Sequence, residues 1–224
     1  MRLRKFKIVV VSSLVVLIIV ASIVVLEKVL ESKNSGIKEI IGELVKEEET
    51  IEMDAFLLSD NITKDYLTPN EYSRPGKQLK EVNAIVVHYV GNPGTTAAQN
   101  RNYFENLKDT HYTSASSHFI IGLDGEIIQC VPLDEISYAS NDRNKDTIAI
   151  ECCHPDETGQ FTTATYKSLV RLTASLCKTY GLNPETGIIR HYDVTGKQCP
   201  LYFVNHEDEW YGFKLDVKAE MESE

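Results

Sequence analysis

Three short apolar runs constrain this chain most, because each carries or leads to a side chain that an apolar interior holds only with a partner. Ala84 to Val90 carries His88 near its C-terminal end, Thr147 to Cys152 carries Glu151, and Ile188-Ile189 leads through Arg190 to His191. Runs of this length bounded by turn residues read as buried strands. Strand parity puts Ala149, Glu151 and Cys153 on one face, opposite Ile148, Ile150 and Cys152. A carboxylate there is costly unless it finds a basic partner or faces a cleft. The first reading makes Glu151 half of a salt bridge, the second a general base.

Lys197 and Cys199 follow His191 closely, after a Gly-containing turn, and Pro200 restricts Cys199 to an extended conformation. Neutral imidazole and thiolate suit zinc, and a catalytic zinc usually has three protein ligands plus a water. His88 is the best third candidate. Each residue also has a plainer reading: a strand-end histidine is commonly structural, a lone cysteine is a small core hydrophobe, and Lys197 is a solvated loop lysine. The spacing from His191 to Cys199 matches no compact zinc-finger pattern. As a functional set, Glu151 would carry a proton beside an activated water, and the Lys197 ammonium would stabilise an oxyanion. His118, after Ser116-Ser117, reads either as a substrate-binding residue lining the same cleft or as a satisfied structural histidine. His154 stands as a reserve ligand.

Taken in order, residues 1–7 carry four positive charges and Ile8 to Leu26 runs nineteen residues without one. Such a run is close to the ~30 Å hydrocarbon core at about 1.5 Å per residue. It reads as a single-pass signal anchor at the cell membrane, its N-terminus cytoplasmic and everything after it outside. No small-x-small cleavage site follows cleanly, which argues against a removed signal peptide. Residues 27–54 form a charged, helix-favouring stalk, and 55–81 an extended lead-in whose aromatics need burial. The domain proper is expected over 82–217, with an acidic, frayed tail at 218–224.

Within it, Thr95 or Thr96 caps a helix to about Lys108, with Ala98, Tyr103, Phe104 and Leu107 inward. Ser116 to Cys130 reads as a β-hairpin turning at Asp124-Gly125. Thr163 to Tyr180 is the clearest helix, stopped by Gly181. Phe203 to Val217 reads as one terminal helical segment with Trp210 inward. These elements predict an α/β domain with a mixed central sheet flanked by helices.

A formal charge of -10 argues against nonspecific nucleic-acid binding, which relies on clustered Lys and Arg. Five cysteines with no CxxC pair give no metal-finger or redox signature. Adjacent Cys152-Cys153 point to opposite strand faces, and Cys130 is left with two candidate partners.

The set of His88 ending a strand, Ser116-Ser117-His118-Phe119-Ile120-Ile121-Gly122-Leu123-Asp124-Gly125, Thr147-Ile148-Ala149-Ile150-Glu151 and His191-Tyr192-Asp193-Val194-Thr195-Gly196-Lys197-Gln198-Cys199-Pro200 resembles the zinc-dependent N-acetylmuramoyl-L-alanine amidases. That group includes phage lysozyme-amidases and peptidoglycan recognition proteins, and the resemblance covers about Val82 to Val217. It implies that Zn2+ is held by His88, His191 and Cys199, with Lys197 as the catalytic lysine and Glu151 as acid/base. Some members use a tyrosine just before the histidine that corresponds to His118; Ser117 stands there, so Glu151 must carry the proton. Recognition-only members typically lack the cysteine ligand, so the resemblance is to the hydrolytic branch. The implied reaction is cleavage of the amide between N-acetylmuramic acid and L-alanine, with peptidoglycan as partner. Two rivals stand beside it: a membrane-anchored peptidoglycan-binding module without catalysis, and a thiol hydrolase using Cys199 with His191.

Overall fold

The computed structural model describes residues 62–223, together with Ile37. The expected basic tail 1–7, membrane span 8–26 and first part of the lead-in, 55–61, lie outside the described residues. So does the stalk 27–54, apart from Ile37, which is helical and exposed. Among the described residues no helix is long and apolar enough to cross a membrane.

Six strands form one mixed sheet: β1 (Thr63–Lys64), β2 (Ala84–Tyr89), β3 (Phe119–Ile121), β4 (Ile127–Gln129), β5 (Thr147–Cys152) and β6 (Ile188–Arg190). Their spatial order is β1-β4-β3-β5-β2-β6, and only the β3–β4 pair is antiparallel. The helices are α1 (Ala97–Thr110), α2 (Thr163–Tyr180), α3 (Pro184–Gly187), α4 (His191–Thr195), α5 (Leu201–Asn205) and α6 (Glu207–Ser223). Parity decides which face each strand residue serves. Ile85, Val87, Ile148, Ile150 and Cys152 join the core under α2 and α6, while Ile120 and Cys153 pack with Ala97, Phe104 and Leu107 of α1. Helices on both faces are why the central strands are apolar on both. Each fully buried Ile or Leu contributes roughly 1.5–3 kcal/mol, about what one unsatisfied buried polar group costs.

Local chemistry explains the element ends. Thr96 and Gln99 form a reciprocal capping box at α1, Thr162 caps α2, and Gly181 closes α2 in the left-handed conformation. At the β3–β4 turn Gly125 has φ +84, and a Cβ there would sit 2.9 Å from the Ala164 carbonyl oxygen of α2. Only glycine fits both demands.

Several expectations are revised. Helix α1 buries Ala97, Asn100, Phe104 and Leu107, whereas Ala98 and Tyr103 are exposed. The inner face includes a polar residue because the Asn100 amide donates to Thr95 Oγ1 and to the Thr96 carbonyl. The terminal segment is two helices broken at His206, and α6 continues to Ser223 through the expected acidic tail. Phe213 and Val217 are buried and Met221 packs against the same core, a four-residue spacing that carries the helix onward. At the other end the described part of the lead-in wraps onto the domain, and its Thr63–Lys64 enter the sheet as β1. Leu67 is fully buried and Arg74 grips Glu135 through two bonds of 2.8 and 2.6 Å. The folded unit therefore exceeds the expected 82–217. All five cysteines are buried and unpaired, so Cys130 takes neither candidate partner.

Candidate active site

Parallel strands end together, and loops beyond their carboxyl ends make a crevice. Register puts His88 of β2 directly opposite Glu151 of β5, while Val87 faces Arg190, so His191 follows at the adjoining corner. Arg190 is buried and fixes that corner. Its guanidinium pairs with Asp193 and Glu207 at 2.8 Å each, donates to the Phe203 carbonyl and lies over Trp210. Helix α4 ends at Gly196 with φ +78, and the chain turns back so that Tyr192 N–H donates to the Cys199 carbonyl at 2.9 Å. That turn brings Cys199 beside His88.

The ligand atoms of His88, His191 and Cys199 all lie within 4.8 Å of one another. Cys199 Sγ is 3.8 Å from His88 Nδ1, and the two imidazoles meet edge to face at 4.8 Å. Each Nε2 is engaged on the far side: His88 with Ser140 Oγ at 3.1 Å, His191 with Asn141 Oδ1 at 3.3 Å. His191 Nδ1 and Glu151 Oε2 are buried with no hydrogen-bond partner, and Glu151 Oε1 lies 4.0 Å from His88 Nδ1. Lys197 is exposed at the lip of the same cleft, whose volume is about 360 Å³, with Phe104, Tyr138 and Ala139 in its walls.

Burial dominates the electrostatics. It pushes the Glu151 carboxyl up to about 8, against the opposing charge of Lys197. Burial, then the charges of His191 and Lys197, holds the His88 imidazole well below its ordinary value, and burial with Lys197 lowers His191. Burial and then Glu151 push the Cys199 thiol up to about 12. Two neutral imidazoles offering lone pairs and a thiol whose proton a bound metal displaces to solvent are a donor set for zinc. The orphaned His191 Nδ1 fits that reading, because a buried acceptor with no protein partner requires some other one. Residues His88, His191 and Cys199 could thus hold the ion.

His118 is the correction. It is fully buried outside the cleft, its Nε2 donating to the Glu135 carbonyl at 2.9 Å and its Nδ1 accepting from Ala149 N–H at 3.0 Å and Ser137 Oγ at 3.1 Å. Both ring nitrogens are consumed in joining β5 to the 135–137 loop, which leaves nothing for a substrate. His154 is buried against the Tyr89 ring at 4.9 Å and does not join the three-residue cluster. Glu151 has no Lys or Arg ion-pair partner among the described residues, so its salt-bridge reading lapses. The sequence reading missed Ser140, Asn141 and Asn144, a polar run that carries only a loop signal.

The N-acetylmuramoyl-L-alanine amidase family model matches residues 78–201. The chain is 33% identical over 179 residues to the N-acetylmuramoyl-L-alanine amidase BlyA of Bacillus subtilis (strain 168), covering 71% of this chain and 47% of that one. It is 32% identical over 171 residues to the N-acetylmuramoyl-L-alanine amidase CwlL of Bacillus licheniformis, covering 70% of this chain and 47% of that one. The chain thus spans about half the length of the curated relatives it matches. Among solved structures, the catalytic domain of XlyA superposes with a TM-score of 0.59 at 26% identity, over 70% of this chain and 99% of that one. The Staphylococcus aureus hydrolase AmiA, in complex with its ligand, shares the fold at 18% identity and a TM-score of 0.55, over 75% of this chain and 89% of that one.

Proposed function

Because this chain belongs to the N-acetylmuramoyl-L-alanine amidase family, we propose that it hydrolyses the amide joining N-acetylmuramic acid to L-alanine in peptidoglycan, with zinc as its resident metal. One observation carries the reading: two neutral imidazoles and a thiol converge beside the half-buried carboxyl of Glu151, with His191 Nδ1 and Glu151 Oε2 left without protein partners. When bound by His88, His191 and Cys199, zinc supplies Lewis-acid polarisation of the carbonyl and of an attacking water.

The protein's own groups do the rest. Glu151 takes a proton from the attacking water at Oε2 as the new C–O bond forms at the lactyl carbonyl. Once protonated, the carboxyl gives that proton back to the alanine nitrogen as the C–N bond breaks. The Lys197 ammonium at the lip stabilises the oxyanion. The products are a lactyl carboxylate on the glycan and a stem peptide with a free amine. Cys199 is buried with its thiol pushed up, the opposite of the exposed, electropositive setting of a nucleophilic cysteine. Residues 8–26 would anchor the chain at the membrane with the domain on the wall side, a reading supported by the uncharged run behind a basic segment.

The test is release of stem peptide from purified peptidoglycan by the full chain, with bound zinc measured in parallel, for wild type and Glu151→Gln. The expectation is equal zinc in both and cleavage slower in the variant by about 10²–10⁴-fold, the usual loss on removing a general acid-base. Undiminished cleavage by the variant would remove Glu151 from the mechanism. Cleavage that survives complete zinc removal would overturn the metal reading.

A further inference from the structure

The loop between β4 and β5 carries a device that neither the ligand set nor the family match assigns. Ser140 and Asn141 are consecutive, yet each reaches a different histidine of the cluster: Ser140 Oγ lies 3.1 Å from His88 Nε2, and Asn141 Oδ1 lies 3.3 Å from His191 Nε2. An amide oxygen only accepts, so His191 must hold its proton on Nε2, which leaves Nδ1 as the lone pair. That nitrogen is the buried one without a partner. On His88 the same arrangement turns Nδ1 towards Cys199 Sγ at 3.8 Å. A hydroxyl both donates and accepts, so Ser140 Oγ can accept from His88 Nε2–H.

The loop is built to hold this pose. Asn141 has φ +52, a left-handed conformation that asparagine tolerates better than most residues. Asn144 Oδ1 accepts from Ala139 N–H at 3.0 Å and Ser140 N–H at 2.6 Å, pinning the backbone just before it. Arg143 pairs with Asp146 at 2.9 Å, and Thr147 Oγ1 donates to the Arg143 carbonyl at 2.7 Å, tying the loop to the start of β5. Ser140 is fully buried and Asn141 lines the cleft.

We propose that Ser140-Asn141 is a positioning pair: Asn141 locks His191 in the Nε2–H tautomer, Ser140 holds the His88 ring through its Nε2, and together they aim both Nδ1 atoms at one metal point. This rests on the metal-site reading above. A group that fixes tautomer and ring orientation typically contributes 10–100-fold in metal affinity.

The test uses the full chain, first metal-free, with histidine nitrogens read by long-range 15N–1H NMR, and then titrated with zinc against a competing chelator. In wild type, His88 and His191 are expected as Nε2–H tautomers, with the structural His118 as an internal Nε2–H reference. Asn141→Gly keeps the left-handed backbone and removes only the acceptor. It is expected to mix the His191 tautomers, leave His88 and His118 unchanged, and weaken zinc binding by about 10–100-fold. Asn141→Asp keeps an acceptor and is expected to bind zinc at least as tightly as wild type. Ser140→Ala should disturb His88 and spare His191. Wild-type His191 found as the Nδ1–H tautomer, or Asn141→Gly binding zinc as tightly as wild type, would overturn the proposal. Tautomers and affinity as expected but no wall cleavage would sustain the positioning pair and count against the hydrolase reading instead.

Discussion

Two buried histidine clusters flank β5, and they differ in what they leave unsatisfied. On one side His118 spends both ring nitrogens on Ala149, Ser137 and Glu135, and Ser117 Oγ adds a bond of 2.8 Å to the Ala149 carbonyl. On the other side, two residues further along the same strand, Glu151 Oε2 and His191 Nδ1 are buried and unpaired. Both clusters contain imidazole. The difference lies in whether the protein itself supplies every partner. A closed network contributes rigidity, whereas an open one at the mouth of a cleft is held for a ligand.

The largest test of that contrast is His118→Ala. It strips the Ala149 N–H and the Glu135 carbonyl of partners and opens a cavity, so a loss of roughly 3–5 kcal/mol is expected in denaturant melts. Zinc binding per folded molecule should persist. A variant that keeps its stability but loses zinc would reverse the roles of the two clusters.

Opposite pH signatures sharpen it next. Burial holds Glu151 at about 8, so the native metal-free chain keeps a proton that the unfolded chain releases near 4.5. That stability is whole below 4.5 and declines as pH rises towards 8. Glu151→Gln removes the decline, and metal-free melts at pH 8 should show the variant more stable by roughly 1–3 kcal/mol, the cost of an unsatisfied buried polar group. His118 runs the other way. Burial holds it at about 4 despite the Glu135 carbonyl, so stability present above 6.5 is lost as pH falls through 6.5 to about 4. His88 and His191, also lowered, add to that acid loss. A metal-free stability gap between wild type and Glu151→Gln that stays constant from pH 6 to 8 would break the assignment of Glu151, because the histidine contribution is common to both.

The smallest effect belongs to a half-buried counterpart, the ion-pair network around Glu105. Burial opposes it, but hydrogen bonds from Lys108 and Thr68 and the charge of Arg101 hold its carboxyl at about 2. Glu105→Gln should cost no more than about 1 kcal/mol at pH 7. The difference from wild type should vanish as pH falls from 4.5 to about 2. A larger cost would mean that the lead-in's grip on α1 at Thr68 matters more to the fold than its exposure suggests.

Sequence by itself determined the mixed α/β architecture and the elements that carry the site. Strand parity separated Ile150 from Glu151, Gly181 stopped α2, and Asp124-Gly125 turned the hairpin. These are legible because side-chain periodicity, caps and turns are local: neighbours along the chain decide them. It also singled out His88, Glu151, His191, Lys197 and Cys199, which the tertiary structure gathers at one cleft. What only the tertiary structure decided is which buried polar groups find partners. His118 and His88 look alike in sequence, each a histidine beside an apolar run, yet one is closed by Ser137 and Glu135 and the other faces Cys199. Ser140 and Asn141 gave only a loop signal and none of their role, because their partners lie 52 and 50 residues away. Hydrogen bonding across such separations follows from how the sheet is ordered, and no local pattern in the chain encodes it.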